Sequence, residues 1–307
     1  MHLQPIKFNQ KLHSDFWDEL RTEVHAYFSV QGISTYANAR LWAKMILLVV
    51  LFVGAYLSLF FIAMPLWAMW LICVSLGVLI AAVGFNISHQ AAHGCLSPSP
   101  KINRMMGFSF NLFGMSDYIW IIKHNVSHHA YTNIYVNDEA LKEDETMRFS
   151  EDARWFPRHR YQHIYGPLAY GLFTFFWFAW LDIDKLMRYN AWGSRKSKPH
   201  PKKELFIFWA TKLYYVIAFI VLPNVLLPIH FWQWAIGFFT MHFVSSILIT
   251  NILQVEHLNK KVKIAELDEN NIVTTSWAVN QLEGTSNFKT NVFFQWISGP
   301  VNYQIEH

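Results

Sequence analysis

The strongest constraint in this chain is an uncharged stretch. Between residues 45 and 88 there is no Asp, Glu, Lys or Arg. That length holds two membrane-spanning helices of about 20 residues each, and Met64-Pro65 supplies a turn between them. A second apolar block, residues 205–253, breaks at Pro223-Asn224 and Pro228 and reads as another helical hairpin. Its one charge, Lys212, is close enough to the start of the block to snorkel to the interface. Overall composition agrees, with 53% hydrophobic and 15% charged residues.

Charge placement orients the expected spans. Of 25 Lys and Arg, 24 lie outside the two apolar blocks and neither turn contains one. Both turns are therefore expected to face away from the cytoplasm and the rest of the chain to face it. The segment 165–186 is apolar but flanked on both sides by Arg and Lys. Such flanks favour an interfacial or re-entrant helix, about 165–183, over a crossing. The first residues lack a basic-then-apolar leader pattern and read as a retained cytosolic arm. The two cysteines give no disulfide framework. The expected fold is an all-α integral membrane protein of four transmembrane helices in two hairpins, with spans near 45–63, 66–88, 206–227 and 231–253. Residues 1–44 form an N-terminal arm and 45–307 a single membrane domain. Residues 1–44, 86–204 and 254–307 build a cytosolic helical cap holding a histidine-rich dimetal site.

The 15 histidines are not scattered. His89 and His93 stand i, i+4 in "NISHQAAHGC", where the second span emerges, so both rings share one helix face. His124 and His128 repeat that spacing in "IIKHNVSHHAYTN", and His129 is expected about 100° further round an α-helix. His257 follows the last span, and His307 ends the chain. All seven fall on one membrane face. Neutral imidazole suits iron, zinc, copper and nickel, and seven rings exceed what one tetrahedral zinc uses. Two metals sharing the ligands fit better.

The patterns HxxxH (His89, His93), HxxxHH (His124, His128, His129) and QxxH (Gln304, His307) resemble the three histidine boxes of the membrane fatty acid desaturases. The glutamine that opens the third box resembles the front-end branch, whose pattern is Q-x-x-H-H. The resemblance runs from about residue 40 to the end, and His257 sits where the family carries an additional ligand. It implies two non-haem Fe, with O2 as co-substrate, and removal of two hydrogens from an acyl chain. His89, His93, His124, His128, His129, His257 and His307 are then the iron ligands. Gln304 is a weak ligand or a hydrogen-bonding group beside them. Asn125, Asn133 and Asp138 are candidates for anchoring the far N–H of ligating rings, as metal-bound histidines require. The family pattern has a second histidine after His307 and further residues beyond it, so the chain is expected to be truncated inside its third box.

Other features are weighed beside these. Arg154, Arg158 and Arg160 are candidates for contact with lipid or acyl-carrier phosphates, or else an anchor to anionic lipid. His159 and His163 read as interfacial residues. His242 lies about 22 Å along its helix from His257, too deep to share a metal, and reads as a buried polar contact. "TTSWAVNQLEGTSNF" (residues 274–288) also resembles the family and is expected to help position Gln304 and His307. No HPGG haem motif occurs in residues 1–44, so electrons are expected from a separate ferredoxin or cytochrome b5 with its reductase. The expected partners are the bilayer and an acyl-CoA, acyl-carrier or phospholipid substrate; none is a nucleic acid. The rivals are a diiron alkyl hydroxylase, a haem-binding electron carrier and a metal-ion transporter. The last is disfavoured by spans almost free of acidic groups.

Overall fold

The computed structural model describes residues 6–9, 12, 14–135, 137–141, 146–188 and 199–306. His307 lies outside the described residues. The architecture is mostly helical, with one two-stranded parallel sheet pairing β1 (Lys7–Phe8) with β2 (Ile272–Val273). Helix α1 spans Ser14–Gln31 and α2 spans Ala39–Phe61. Asn38 starts α2 by accepting the Leu41 N–H at 3.0 Å, which satisfies a donor that helix ends otherwise leave orphaned. Helix α3 runs Leu66–Ala92 behind Pro65, whose ring pre-sets the entry.

The polar middle of the chain folds into short helices: α4 (Pro100–Gly107), α5 (Asp117–Ile121), and a bent pair, α6 (Pro157–Gly171) with α7 (Phe173–Arg188), that turns by 62°. Then follow α8 (Lys202–Leu226), α9 (Phe231–His257), α10 (Trp277–Glu283) and α11 (Val292–Ser298). Among the described residues, α2, α3, α8 and α9 are long and apolar enough to cross a membrane, and the bent pair adds a fifth if it counts as one span.

Two of these helices outrun their apolar cores. Hydropathy ends the second and fourth spans near residues 88 and 253, whereas α3 and α9 continue to Ala92 and His257. A helix keeps its backbone hydrogen bonds whether its side chains are apolar or polar, so the histidines ride on the ends of rigid rods. The most extensive helix packing is between α3 and α9. Gly77 allows it: a Cβ there would stand 2.6 Å from the Met241 carbonyl oxygen and 2.8 Å from Val244 Cβ. Close approach through a small residue is how helices gain contact where lipid removes the hydrophobic drive.

Lys212 does not snorkel. It is 8% exposed, and its ammonium meets the Asp182 carboxylate at 2.9 Å and the Gly114 and Phe178 carbonyls at 2.5 and 3.0 Å. A partner on α7, invisible in the local sequence, outcompetes the route to water. His242 is buried as expected; it bonds the Tyr215 hydroxyl at 2.8 Å and Thr174 Oγ1 at 2.9 Å. The N-terminal arm also has a definite seat. Ile6 packs with Ile134 and Val273, and Phe8 stacks on Tyr131, so β1 backs the segment after the second histidine pattern.

Candidate metal centre

The histidines arrive on two underwound helical turns. A π-helical turn over Gly84–Ser88 leads into His89, and a second, Ile122–His128, carries His124 and His128. Such turns accommodate one extra residue and recur at functional sites. The second one alters the geometry expected of an α-helix. The His129 N–H bonds the His124 carbonyl at 2.9 Å, an i to i+5 closure. His129 therefore sits against His124, with Nε2 atoms 3.1 Å apart, rather than pointing away from it. His128 turns instead toward His257, Nε2 to Nε2 at 3.2 Å.

Two sets of rings result. His89, His93 and His124 have ligand nitrogens all within 4.8 Å of one another, with His89 and His124 Nε2 atoms 3.0 Å apart. His129 closes this set, its ring 4.7 Å from that of His93. The second set is His128 and His257, with the Gln304 amide nitrogen 3.3 Å from His257 Nε2. The sets are adjacent, with the His124 and His128 rings stacked at 5.6 Å.

Three further elements brace them. Asp138 is fully buried and both its oxygens lie 3.0 Å from His128 Nδ1. Burial alone would raise its pKa, but His128 and the N–H groups of Ala140 and Asn133 hold it below the ordinary carboxylate value. An ionised Asp138 keeps the proton on Nδ1 and leaves the Nε2 lone pair facing the cluster. Asn133, in the left-handed region at φ 59°, donates its side-chain N–H to the Gly284 carbonyl at 2.8 Å. Asn125 donates to the Ala92 carbonyl at 2.8 Å, tying the second histidine pattern to the end of the first. Residues 274–288 brace both neighbours. Asn280 holds the Thr132 carbonyl at 3.1 Å, and Asn287 accepts the Ile305 N–H at 2.9 Å. Gly299, at φ +63°, lets the turn before Gln304 press on Asn86, where a Cβ would stand 2.7 Å from Oδ1.

His124 is buried among these rings. Burial first, then the imidazoles of His129, His89, His93 and His128, push its pKa well below its ordinary 6.5. It is neutral, the form that binds metals. The unfolded chain takes up this proton near pH 6.5 and the folded chain does not. Stability from His124 is therefore complete above that pH and declines as pH falls below it. Thermal unfolding of metal-free protein at about pH 7.5 and about pH 5.5 checks the sign, with the lower melting temperature expected in acid.

The site fits a bound metal. A metal–imidazole bond is about 2.1 Å, so cis ligands sit about 3 Å apart, which the closest imidazole nitrogen separations of 3.0 to 3.2 Å match. Gln304 Oε1 is buried with no hydrogen-bond partner among the described residues. Glu256 was missed by sequence reasoning. It is fully buried beside His257, lines the same cavity, and neither oxygen has a hydrogen-bond partner among the described residues. A charged residue at the apolar end of a helix, in "QVEH", was the available signal. A cation in the cavity would offset all three orphaned oxygens.

The cavity measures about 420 Å³ and is mostly apolar beyond the histidines. Phe173, Phe176, Trp180 and Leu181 line it, as does Trp120, stacked on His124. Neither Arg154, Arg158 nor Arg160 lines it; the first two stack on Phe156 at 4.8 and 4.7 Å. His159 accepts the Phe156 N–H at 3.2 Å and, with His163, lines a separate polar recess.

The fatty acid desaturase family model matches residues 65–307. The chain belongs to the fatty acid desaturase family. Among its relatives is the sn-1 linoleoyl-lipid 6-desaturase of Synechocystis sp., 28% identical over 98% of this chain and 84% of that protein. The enzyme of the same description from Arthrospira platensis is 28% identical over 95% and 79%. An acyl-lipid (8-3)-desaturase of Mortierella alpina is 26% identical over 95% of this chain and 66% of its own length. In this desaturase chain Asp138→Asn keeps the shape beside His128 but removes the charge. It is expected to weaken metal binding about 10- to 100-fold, measured by competition with a chelator.

Proposed function

We propose that this chain inserts a cis double bond into the acyl chain of a lipid or acyl thioester, using O2 and two non-haem irons. The observation that carries the reading is a cluster of buried and half-buried imidazoles, at metal-ligand spacing, beside an apolar cavity. His89, His93, His124 and His129 would hold one iron. His128 and His257, with Gln304 and His307, would hold the other. When bound, the irons supply the O2-dependent oxidation that no side chain can perform. The protein's own part is geometric. Asp138 keeps the His128 Nε2 lone pair available, Asn125 and Asn133 fix the backbone around the rings, and the aromatic walls exclude water while holding the acyl chain.

The balance is simple: two hydrogens leave the acyl chain, two electrons and two protons arrive from outside, and O2 leaves as two waters. The electrons come from a separate donor of ferredoxin or cytochrome b5 type. The four long apolar helices form two hairpins whose turns face away from the cytoplasm, and the histidines face it. A haem between two imidazoles would hold their nitrogens at twice the metal–nitrogen bond, about 4 Å. The 3.0 to 3.2 Å separations favour single ions instead. The relatives' names favour desaturation over hydroxylation.

The test is gas chromatography of lipids from a host expressing the full-length gene. A new unsaturated species, with about two irons per purified chain, is expected. Protein present in the membrane with no new double bond would overturn the reading.

A further inference from the structure

A single carboxylate, Asp182, joins three elements, α5, α7 and α8. It is fully buried at the start of the last helical stretch of α7. Its Oδ1 accepts the Trp177 indole N–H at 2.9 Å. Its Oδ2 accepts the Ser116 backbone N–H at 2.7 Å and the Lys212 ammonium at 2.9 Å. Ser116 is the residue whose hydroxyl caps α5, accepting from the Ile119 N–H at 3.3 Å. The carboxylate therefore touches the root of the helix that carries Trp120, His124 and His128. It also touches an aromatic ring on α7 and the only Lys within α8's apolar stretch.

The rings continue the connection to the cluster. Trp177 lies 5.1 Å from Trp120, and Trp120 is stacked on His124 at 4.4 Å with planes 22° apart. Trp120 and His124 supply one part of the cavity wall, and Phe173, Phe176, Trp180 and Leu181, on α7, supply another. An acyl chain offers these walls no polar group by which to register itself. Which carbon faces the histidines is set by many small dispersion contacts along both walls. A slip of one wall past the other by a single carbon repeat changes that carbon and leaves the cavity otherwise alike.

We propose that Asp182 is a positioning residue that fixes where along the acyl chain the double bond forms, by locking α5 and α7 in one register. This rests on the desaturase reading. A buried ion pair contributes little net stability once desolvation is counted, and its best-attested role is to select one registry among similar packings. Donors from the cap of α5 and from α8 reach this carboxylate of α7, and the Trp177 indole, five residues before it on α7, fixes its orientation. A slip of α5 against α7 would break the Ser116 bond.

Two variants test it in a host expressing the full-length protein. Trp177→Phe keeps an aromatic ring and removes only the indole donor. Asp182→Ala combined with Lys212→Met removes the oxygen that accepts the Ser116 N–H together with the buried ammonium, so that no lone ion is left. Product lipids are analysed by mass spectrometry of double-bond adducts, which locates the bond, alongside iron per chain and the amount of folded protein. Loss of one such hydrogen bond is expected to lower the ratio of the main positional isomer to its one-carbon neighbour about tenfold, with iron content unchanged. A single unaltered bond position in both variants, whether overall yield is kept or reduced, overturns the proposal. If the double variant fails to accumulate, Trp177→Phe decides alone. Wild-type protein that forms no double bond refutes the desaturase reading instead, and the two failures are distinct.

Discussion

His128→Ala removes every new double bond from the host's lipids while the protein still accumulates in the membrane. His128 meets His257 across the cluster at 3.2 Å, and Asp138 grips it through both oxygens. Its loss leaves His257 and Gln304 as the second set among the described residues, too few to hold an ion that the cluster would otherwise share. The iron content is expected to fall from about two per chain to about one, because His89, His93, His124 and His129 remain. The fold survives, since the helices that place the rings pack through α3 and α9 and not through the rings themselves. Membrane-inserted His128→Ala protein with wild-type product levels would show that the second set has no part in the reaction.

Asp182→Ala is the largest expected loss of stability. The carboxylate compensates the Lys212 ammonium, whose side chain is 9% exposed, and satisfies the Ser116 and Trp177 donors. Removing one partner of a buried pair leaves an uncompensated charge, which costs about 3–5 kcal/mol. Adding Lys212→Met to Asp182→Ala should restore most of that loss, because the lone ion is gone. Thermal unfolding of the purified protein in detergent measures both. A single Asp182→Ala variant that melts with the wild type would mean that Lys212 finds another partner.

The four long helices and the metal-binding residue types were legible because they rest on local physics. An uncharged run of this length has no stable place in water, and HxxxH spacing puts two rings on one face of any helix. Other features needed partners distant in sequence. The pairing of His129 with His124 depends on a π-helical turn, which i to i+4 reasoning on an α-helix places wrongly. Lys212 read as a snorkelling charge because Asp182, 30 residues away, is invisible locally. Glu256 drew no attention because its meaning lies in having no hydrogen-bond partner among the described residues beside the cluster, a fact of three dimensions.

The sequence by itself determined that this chain carries long apolar helices with histidines at their ends, and that those histidines suit a metal site. Hydropathy and side-chain chemistry are properties of each residue and survive without a fold. Only the tertiary structure decided which rings lie together, which carboxylate meets His128, and which residues wall the cavity. Those follow from contacts among α3, α5, α7, α9 and the turn before Gln304, elements far apart in the chain. Their relative placement is set by packing and buried hydrogen bonds, and not by any local pattern.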